Sequence, residues 1–219
     1  MSSSFLISGL LILVAYLLGS IPSGYLVGRW LKGIDIREEG SGSTGATNVL
    51  RTVGKTAAVV VLLSDLLKAI VPLLLVKGIY AFISAPILEP ILPGNWESWL
   101  VAAVAIAAIF GHSKSLFLNF TGGKSVASSL GVLLVMNPLV ALGTVAVFGI
   151  FLLVFRIVSL SSIAGAIAVN IFMIALAQPL PYKLFALFAG LYVIWRHRTN
   201  IERLWKGTEP AIGEKLQQE

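Results

Sequence analysis

Three short stretches concentrate the residues that could hold an anion and act on it. The first is GSGSTGATNVLR, Gly40 to Arg51. Gly40, Gly42 and Gly45 let the backbone turn its N–H groups toward a ligand. Ser41, Ser43, Thr44, Thr47 and Asn48 add neutral hydrogen bonds, and Arg51 offers a planar fork matched to phosphate oxygens. A solvated linker would also be rich in glycine and serine, and the arginine that closes the stretch is what points to phosphate. The second, GHSKSLFLNFTGGKSVASS from Gly111 to Ser129, sets Gly122, Gly123 and Lys124 directly before an apolar run. A helix starting there presents unpaired N–H groups and a positive dipole end, to which Lys124 adds a full charge. A nucleotide-binding GxxxxGK[ST] loop would need glycine at Leu118, so ATP is not implied. The third stretch, Arg196-His197-Arg198-Thr199-Asn200, puts His197 and Asn200 three residues apart, on one helix face if the helix continues. Histidine serves as acid, base or hydrogen-bond donor near neutrality, and asparagine can orient a hydroxyl or carbonyl. A lone histidine at a membrane edge is more often structural than catalytic, and the same holds for His112. No Ser-His-Asp or H-x(4)-D pattern offers a nucleophilic triad.

The elements that must position these stretches are apolar helices. Of 219 residues, 57% are hydrophobic and only 12% charged, with a mean hydropathy of +0.93, far from the composition of a water-soluble domain. Apolar runs near the roughly 20 residues that a bilayer crossing needs recur along most of the chain. The expectation is one all-α polytopic membrane domain over residues 1–219. Spans are placed at Phe5 to Val27, Thr56 to Val76, Ser98 to Gly111, Val126 to Asn137, Leu139 to Phe155, Leu160 to Ala177 and Leu184 to Trp195. The segment from Ile79 to Trp96, interrupted by Pro86, Pro90, Pro93 and Gly94, reads as an outer loop or interfacial turn, with Trp96 and Trp99 as belt residues.

Charge decides the topology. With seven spans and the N-terminus outside, thirteen cations, from Arg29 to Lys215, collect on one face, and the other keeps Lys77 and Lys183 with Glu89 and Glu97. Joining the fourth and fifth spans through Pro138 would turn Arg156 and the basic C-terminus outward, against the positive-inside rule. The formal charge of +6 is thereby a topological signal, with no nucleic-acid partner implied. All three anion-suited stretches fall on the basic, inner face. Asp65 and Lys68 lie within the second span at a spacing that lets them meet, and read either as functional or as an ion pair tying helices together, away from the reacting atoms. There is no cysteine, so no disulfide or thiolate chemistry is available. The first apolar run lacks a preceding Lys or Arg and a cleavage pattern, and reads as a retained span.

At these stretches the chain resembles the bacterial acyl-phosphate:glycerol-3-phosphate acyltransferase family. The matching pieces are GSIPSGYLVGRW at Gly19, GSGSTGATNVLRTVGK at Gly40, DLLKA at Asp65, GHSKSLFLNFTGGKSVASSLG at Gly111 and HRTNIERL at His197, in family order. The resemblance implies a seven-helix fold, a long-chain acyl phosphate donor, glycerol 3-phosphate as acceptor, and lysophosphatidate with inorganic phosphate as products. It implies no coenzyme A, metal, other cofactor or obligate protein partner beyond membrane lipids. It places Ser41, His197 and Asn200 at the chemistry and Arg51, Lys124, Asn48 and the glycines Gly40, Gly42, Gly45, Gly122 and Gly123 on substrate phosphates. The family usually has asparagine at Ser43, glycine at Ser125 and threonine at Ser128, which bears on loop geometry more than on reaction class.

Two other classes compete. A transporter of a small phosphorylated anion would also use broken helices and glycine-lined anion sites, but it calls for polar residues on both faces of a pathway. A phosphatidyl-group transferase would need a carboxylate cluster for a divalent metal, and the inner face has none comparable.

Overall fold

The computed structural model describes residues 2–82 and 96–214. Among these residues the fold is helical throughout, with one β-bridge between Ser115 and Thr121. The chain runs through α1 (Ser2–Ser20), α2 (Ser23–Lys32), α3 (Ala46–Thr52), α4 (Lys55–Phe82), α5 (Glu97–Ser113), α6 (Val126–Met136), α7 (Pro138–Phe155), α8 (Val158–Ala175), α9 (Leu180–Arg196) and α10 (Arg198–Trp205). A 3-10 turn, Leu116–Leu118, lies between α5 and α6.

The expected first span is two helices, because Pro22 has no N–H to continue the ladder and the chain breaks at Ile21-Pro22. α4 runs through Ile79 to Phe82, four residues into the expected outer turn. The rest of that turn, with Pro86, Glu89, Pro90, Pro93 and Gly94, lies outside the described residues, as does Lys215. At the fourth and fifth spans the helix does break. Asn137 is extended, and its Oδ1 accepts the N–H groups of Leu139 and Val140, capping α7 while Pro138 occupies the first turn, where a missing N–H costs nothing.

Four helical segments among the described residues are long and apolar enough to cross a bilayer: Phe5–Lys32, Lys55–Phe82, Pro138–Phe155 and Val158–Ala175. α5 and α6 are apolar but shorter, 17 and 11 residues, or about 26 and 16 Å against a hydrocarbon core of about 30 Å. α9 has 17 residues. The helices bury small and branched residues such as Ala15, Ala69, Leu73, Val104, Ala105, Val132, Val140 and Met173, and turn Leu6, Leu142, Leu153, Val154 and Leu191 outward, each more than 60% exposed. Large aliphatic side chains spread over a helix exterior are what lipid, not water, accommodates. α5 packs on α1, α4 and α9; α6 lies along α4; α7 packs on α8 and α8 on α9. The ends of α3, α6, α8 and α9 and the loops between them meet at one end of this assembly, where the three polar stretches come together.

Candidate active site

The first polar stretch is a loop wound around one side chain. Asn48, in the first turn of α3 and almost fully buried, donates from Nδ2 to the carbonyls of Ile36, Glu39 and Ser43 at 3.1, 2.9 and 2.9 Å, and its Oδ1 accepts the Ser41 N–H at 2.9 Å. Its polar atoms are thus taken up in holding the loop. Gly40 has φ +55° and faces Asn48 Oδ1 so closely that a Cβ would collide with it. The result directs Ser41, Ser43, Gly45 and Arg51 into a cavity of about 1080 Å³. Arg51, in the last turn of α3, has one long contact, to the Pro210 carbonyl at 3.5 Å, which leaves most of its donors free.

The second stretch is built by packing against His112. The Gly123 N–H donates to the His112 carbonyl at 3.2 Å, and a Cβ on Gly122 or Gly123 would overlap the His112 carbonyl or ring. Arg196 closes the loop from behind, donating to the carbonyls of Gly122 and Gly123 at 2.9 Å each. Gly123 thus spends its N–H within the loop, and Gly122 lies with Gly42, Lys114 and Arg196 on a separate pocket of about 510 Å³. What reaches the main cavity is Lys124 and the start of α6, where Val126 and Ala127 line the wall. The first intrahelical N–H donor of α6 is that of Ser129, to Ser125, so the N–H groups of the turn before it are available to an anion. Ser125 occupies the left-handed region at φ +63°, and its buried hydroxyl donates to the Ile109 carbonyl at 2.8 Å.

His197 joins α9 to α10, so the helix does not run straight through as the spacing argument requires. The pair still faces the same cavity, because Ile201 donates to the His197 carbonyl and α10 starts from it. His197 Nδ1 lies 2.7 Å from the Val193 carbonyl, which can only accept, so Nδ1 carries the proton and Nε2 is left as an acceptor. Burial, followed by the charge of Lys124, pulls the imidazole down to about 4. Lys124 Nζ donates to Asn200 Oδ1, and Asn200 Nδ2 donates to Glu209 Oε1 at 2.6 Å. Burial also pulls the Lys124 ammonium down, to about 8, with Arg203, Arg51 and Arg196 adding to the effect and Glu209 opposing it.

Glu209 is the member that sequence reasoning missed. Past α10 the chain turns back at Gly207, φ +69°, and brings Glu209 inward. There it accepts from Asn200, from Ser159 Oγ at 2.8 Å and from Arg203 Nε at 2.7 Å. Burial alone would raise its carboxyl; these three hydrogen bonds hold it below the usual range. Nothing local marked it, since Glu202 already stands as an acid within the basic run from Arg196 to Lys206 and Glu209 follows three residues after that run.

Asp65 and Lys68 do meet, at 2.8 Å across one turn of α4, and Lys68 also donates to the Ile21 carbonyl at the α1–α2 break. His112 Nδ1 lies 3.4 Å from Asp65 Oδ1, and both residues line the cavity, closer to the chemistry than expected. Among the described residues no three His, Asp or Glu side chains group as a metal site.

Of the expected site residues, Ser41, Gly45, Asn48, Arg51, Lys124, His197 and Asn200 border the cavity, and Gly40, Gly42, Gly122 and Gly123 shape the loops outside it. From the cationic end the cavity continues between α4, α6, α7, α8 and α9 over an apolar lining. A charged mouth and an apolar body suit a molecule with an anionic head and a hydrocarbon tail.

The glycerol-3-phosphate acyltransferase family model matches residues 9–207. The chain belongs to that family. Curated relatives of the acyltransferase carry the same description: one from Crocosphaera subtropica is 64% identical over 99% of both chains, and one from Rippkaea orientalis is 66% identical over 97% of this chain and 96% of its own. Among solved structures, an integral membrane glycerol 3-phosphate acyltransferase, PlsY, in its glycerol 3-phosphate form is 36% identical, with a TM-score of 0.83 over 94% of this chain and 96% of that one. Its lysophosphatidic acid form is 37% identical with a TM-score of 0.79. In this acyltransferase Glu209 falls two residues beyond the family match, although it is bonded to Asn200 inside it.

Proposed function

We propose that this acyltransferase moves a fatty acyl group from acyl phosphate to the 1-hydroxyl of glycerol 3-phosphate, giving lysophosphatidate and inorganic phosphate as the first step of phospholipid synthesis. The observation that carries the reading is the single cavity whose polar end holds Arg51, Lys124, Asn200 and the start of α6 and whose remainder is apolar. The protein acts as one unit that crosses the cell inner membrane seven times, N-terminus outside and C-terminus cytoplasmic, with the site at the cytoplasmic face. The excess of cations around the site supports this orientation.

Arg51 and Lys124 hold the two substrate phosphates, aided by the α6 N–H groups, and Ser41 contributes a hydroxyl at the same end. Bringing the 1-hydroxyl against the acyl carbonyl accounts for most of the rate, since an acyl phosphate is a mixed anhydride with a good leaving group. The hydroxyl oxygen bonds to the acyl carbon, the bond from that carbon to the phosphate oxygen breaks, and the hydroxyl proton passes to a phosphate oxygen. His197, neutral and with Nε2 free to accept, orients the hydroxyl; its low affinity for a proton suits positioning better than general base work. Asn200, fixed by Glu209, holds Lys124 in place. The apolar lining takes the acyl chain.

The transporter reading requires a path through the protein, and the far end of this cavity meets packed core at Met136, Met173 and Tyr182, which are at most 6% exposed. The test is stoichiometry. One inorganic phosphate should appear per lysophosphatidate when acyl phosphate and glycerol 3-phosphate are supplied, and phosphate released without lysophosphatidate would refute acyl transfer.

A further inference from the structure

The apolar part of the cavity has a floor. Along α6, α8 and α9, lining stops at Leu133, Val169 and Phe185, and the next residues behind them, Met136, Met173 and Tyr182, belong to the packed core. Phe185 is 1% exposed and is the last residue of α9 to line the cavity on this side. The wall above it on α9 carries the small side chains of Ala186 and Ala189, while Gly190 and Gly165 let α8 approach α9 and α7 closely, since a Cβ on Gly190 would meet the Ala166 carbonyl and one on Gly165 would touch Thr144.

Phe185 lies twelve positions before His197, so the cavity is about 18 Å deep at the helical rise of about 1.5 Å per residue. An extended chain of C–C bonds of about 1.52 Å at about 111° advances about 1.25 Å per carbon. The depth therefore corresponds to an acyl chain of about fourteen carbons.

We propose that Phe185, together with Leu133 and Val169, measures the acyl chain, giving the enzyme a preference for donors whose tail just reaches this floor. The proposal rests on the acyl-transfer reading above. A longer tail must bend or leave sideways, where the exposed Val59 and Leu62 of α4 and Val145 of α7 line the cavity. Removing the Phe185 ring lowers the floor toward Tyr182 by about one helical turn, or about four carbons. A larger residue at Ala189 raises it by a similar amount. Each methylene moved into an apolar site is worth roughly fourfold in affinity, so a floor shifted by several carbons changes chain preference by tenfold or more.

The experiment measures kcat/KM for acyl phosphates of ten to eighteen carbons with purified protein in nanodiscs, comparing the natural chain with Phe185→Leu, Phe185→Ala and Ala189→Leu. The expected result is a maximum near fourteen carbons, a rise of at least tenfold in the eighteen-to-fourteen ratio for Phe185→Ala, a smaller rise for Phe185→Leu, and a shift toward twelve carbons or fewer for Ala189→Leu. If Phe185→Ala does not fold, the opposed shifts of Phe185→Leu and Ala189→Leu decide the matter. Active variants with the profile of the natural chain would place the tail in the side opening and overturn the proposal. Absence of lysophosphatidate from the natural chain with every donor would instead refute the acyl-transfer reading.

Discussion

Lys124 should set the alkaline limit of the enzyme. Its ammonium is buried beside Arg51, Arg196 and Arg203, its side-chain partner is the neutral Asn200, and Glu209 supplies the nearby negative charge. Burial pulls it down to about 8, far below an exposed lysine. A group at that value is about 91% protonated at pH 7 and about 9% at pH 9, so kcat/KM for glycerol 3-phosphate should fall about tenfold across that interval and about tenfold per unit beyond. The sign follows from which form binds: the ammonium attracts phosphate, the amine does not, and the loss comes as pH rises. A bound phosphate dianion favours the charged form, so the limb in kcat should lie at higher pH than the limb in kcat/KM. The assay is initial lysophosphatidate formation from pH 6 to 10 in nanodiscs, with an enzyme-free blank for spontaneous loss of donor. Arginine does not titrate in this range, so Lys124→Arg should erase the limb even if its overall rate is lower. A natural profile flat to pH 9.5, or an unchanged limb in Lys124→Arg, would refute the reasoning.

Three further outcomes follow from the same geometry. His197→Gln should lower kcat at least tenfold while leaving the shape of the pH profile between 6 and 8 unchanged, because an imidazole at about 4 has no limb there; a lost neutral limb would make His197 a base. Glu209→Gln should cost about 2–3 kcal/mol in reversible unfolding in detergent, less than the full cost of breaking a buried pair because Arg203 is about a quarter exposed, and should lower activity through Asn200. Ser125→Ala should lose about 1 kcal/mol with its hydrogen bond to Ile109 and keep the left-handed strain, whereas Ser125→Gly should lie near the natural stability because relief of strain offsets the lost bond; equal thermal midpoints for the two variants would contradict this.

How much of this was legible in the sequence depended on whether a signal was local. Apolar runs marked the helices, and glycines, hydroxyls and cations marked the three polar loops, because a membrane makes polar residues conspicuous. Lys124, Arg51, His197 and Asn200 were singled out on that basis, and the four line one cavity. The packing around a glycine was not legible: a Cβ on Gly122 or Gly123 would overlap His112, ten and eleven residues earlier in the chain. Asn48 likewise looked like a ligand residue, and its carbonyl partners emerge only once the loop is closed. Glu209 was invisible for a similar reason, since its three partners come from α8, α10 and the α10 start, joined by the turn at Gly207. The Pro22 break was readable from proline chemistry, but a continuous apolar run masked it.

The central claim is that the cationic pocket and the apolar cavity serve one reaction, acyl transfer from an acyl phosphate. It is tested most directly by supplying labelled glycerol 3-phosphate with either palmitoyl phosphate or palmitoyl-CoA to the purified protein in nanodiscs, with divalent metals chelated, and following lysophosphatidate. The account predicts product from the acyl phosphate and none from the thioester, whereas product from the thioester alone would contradict it.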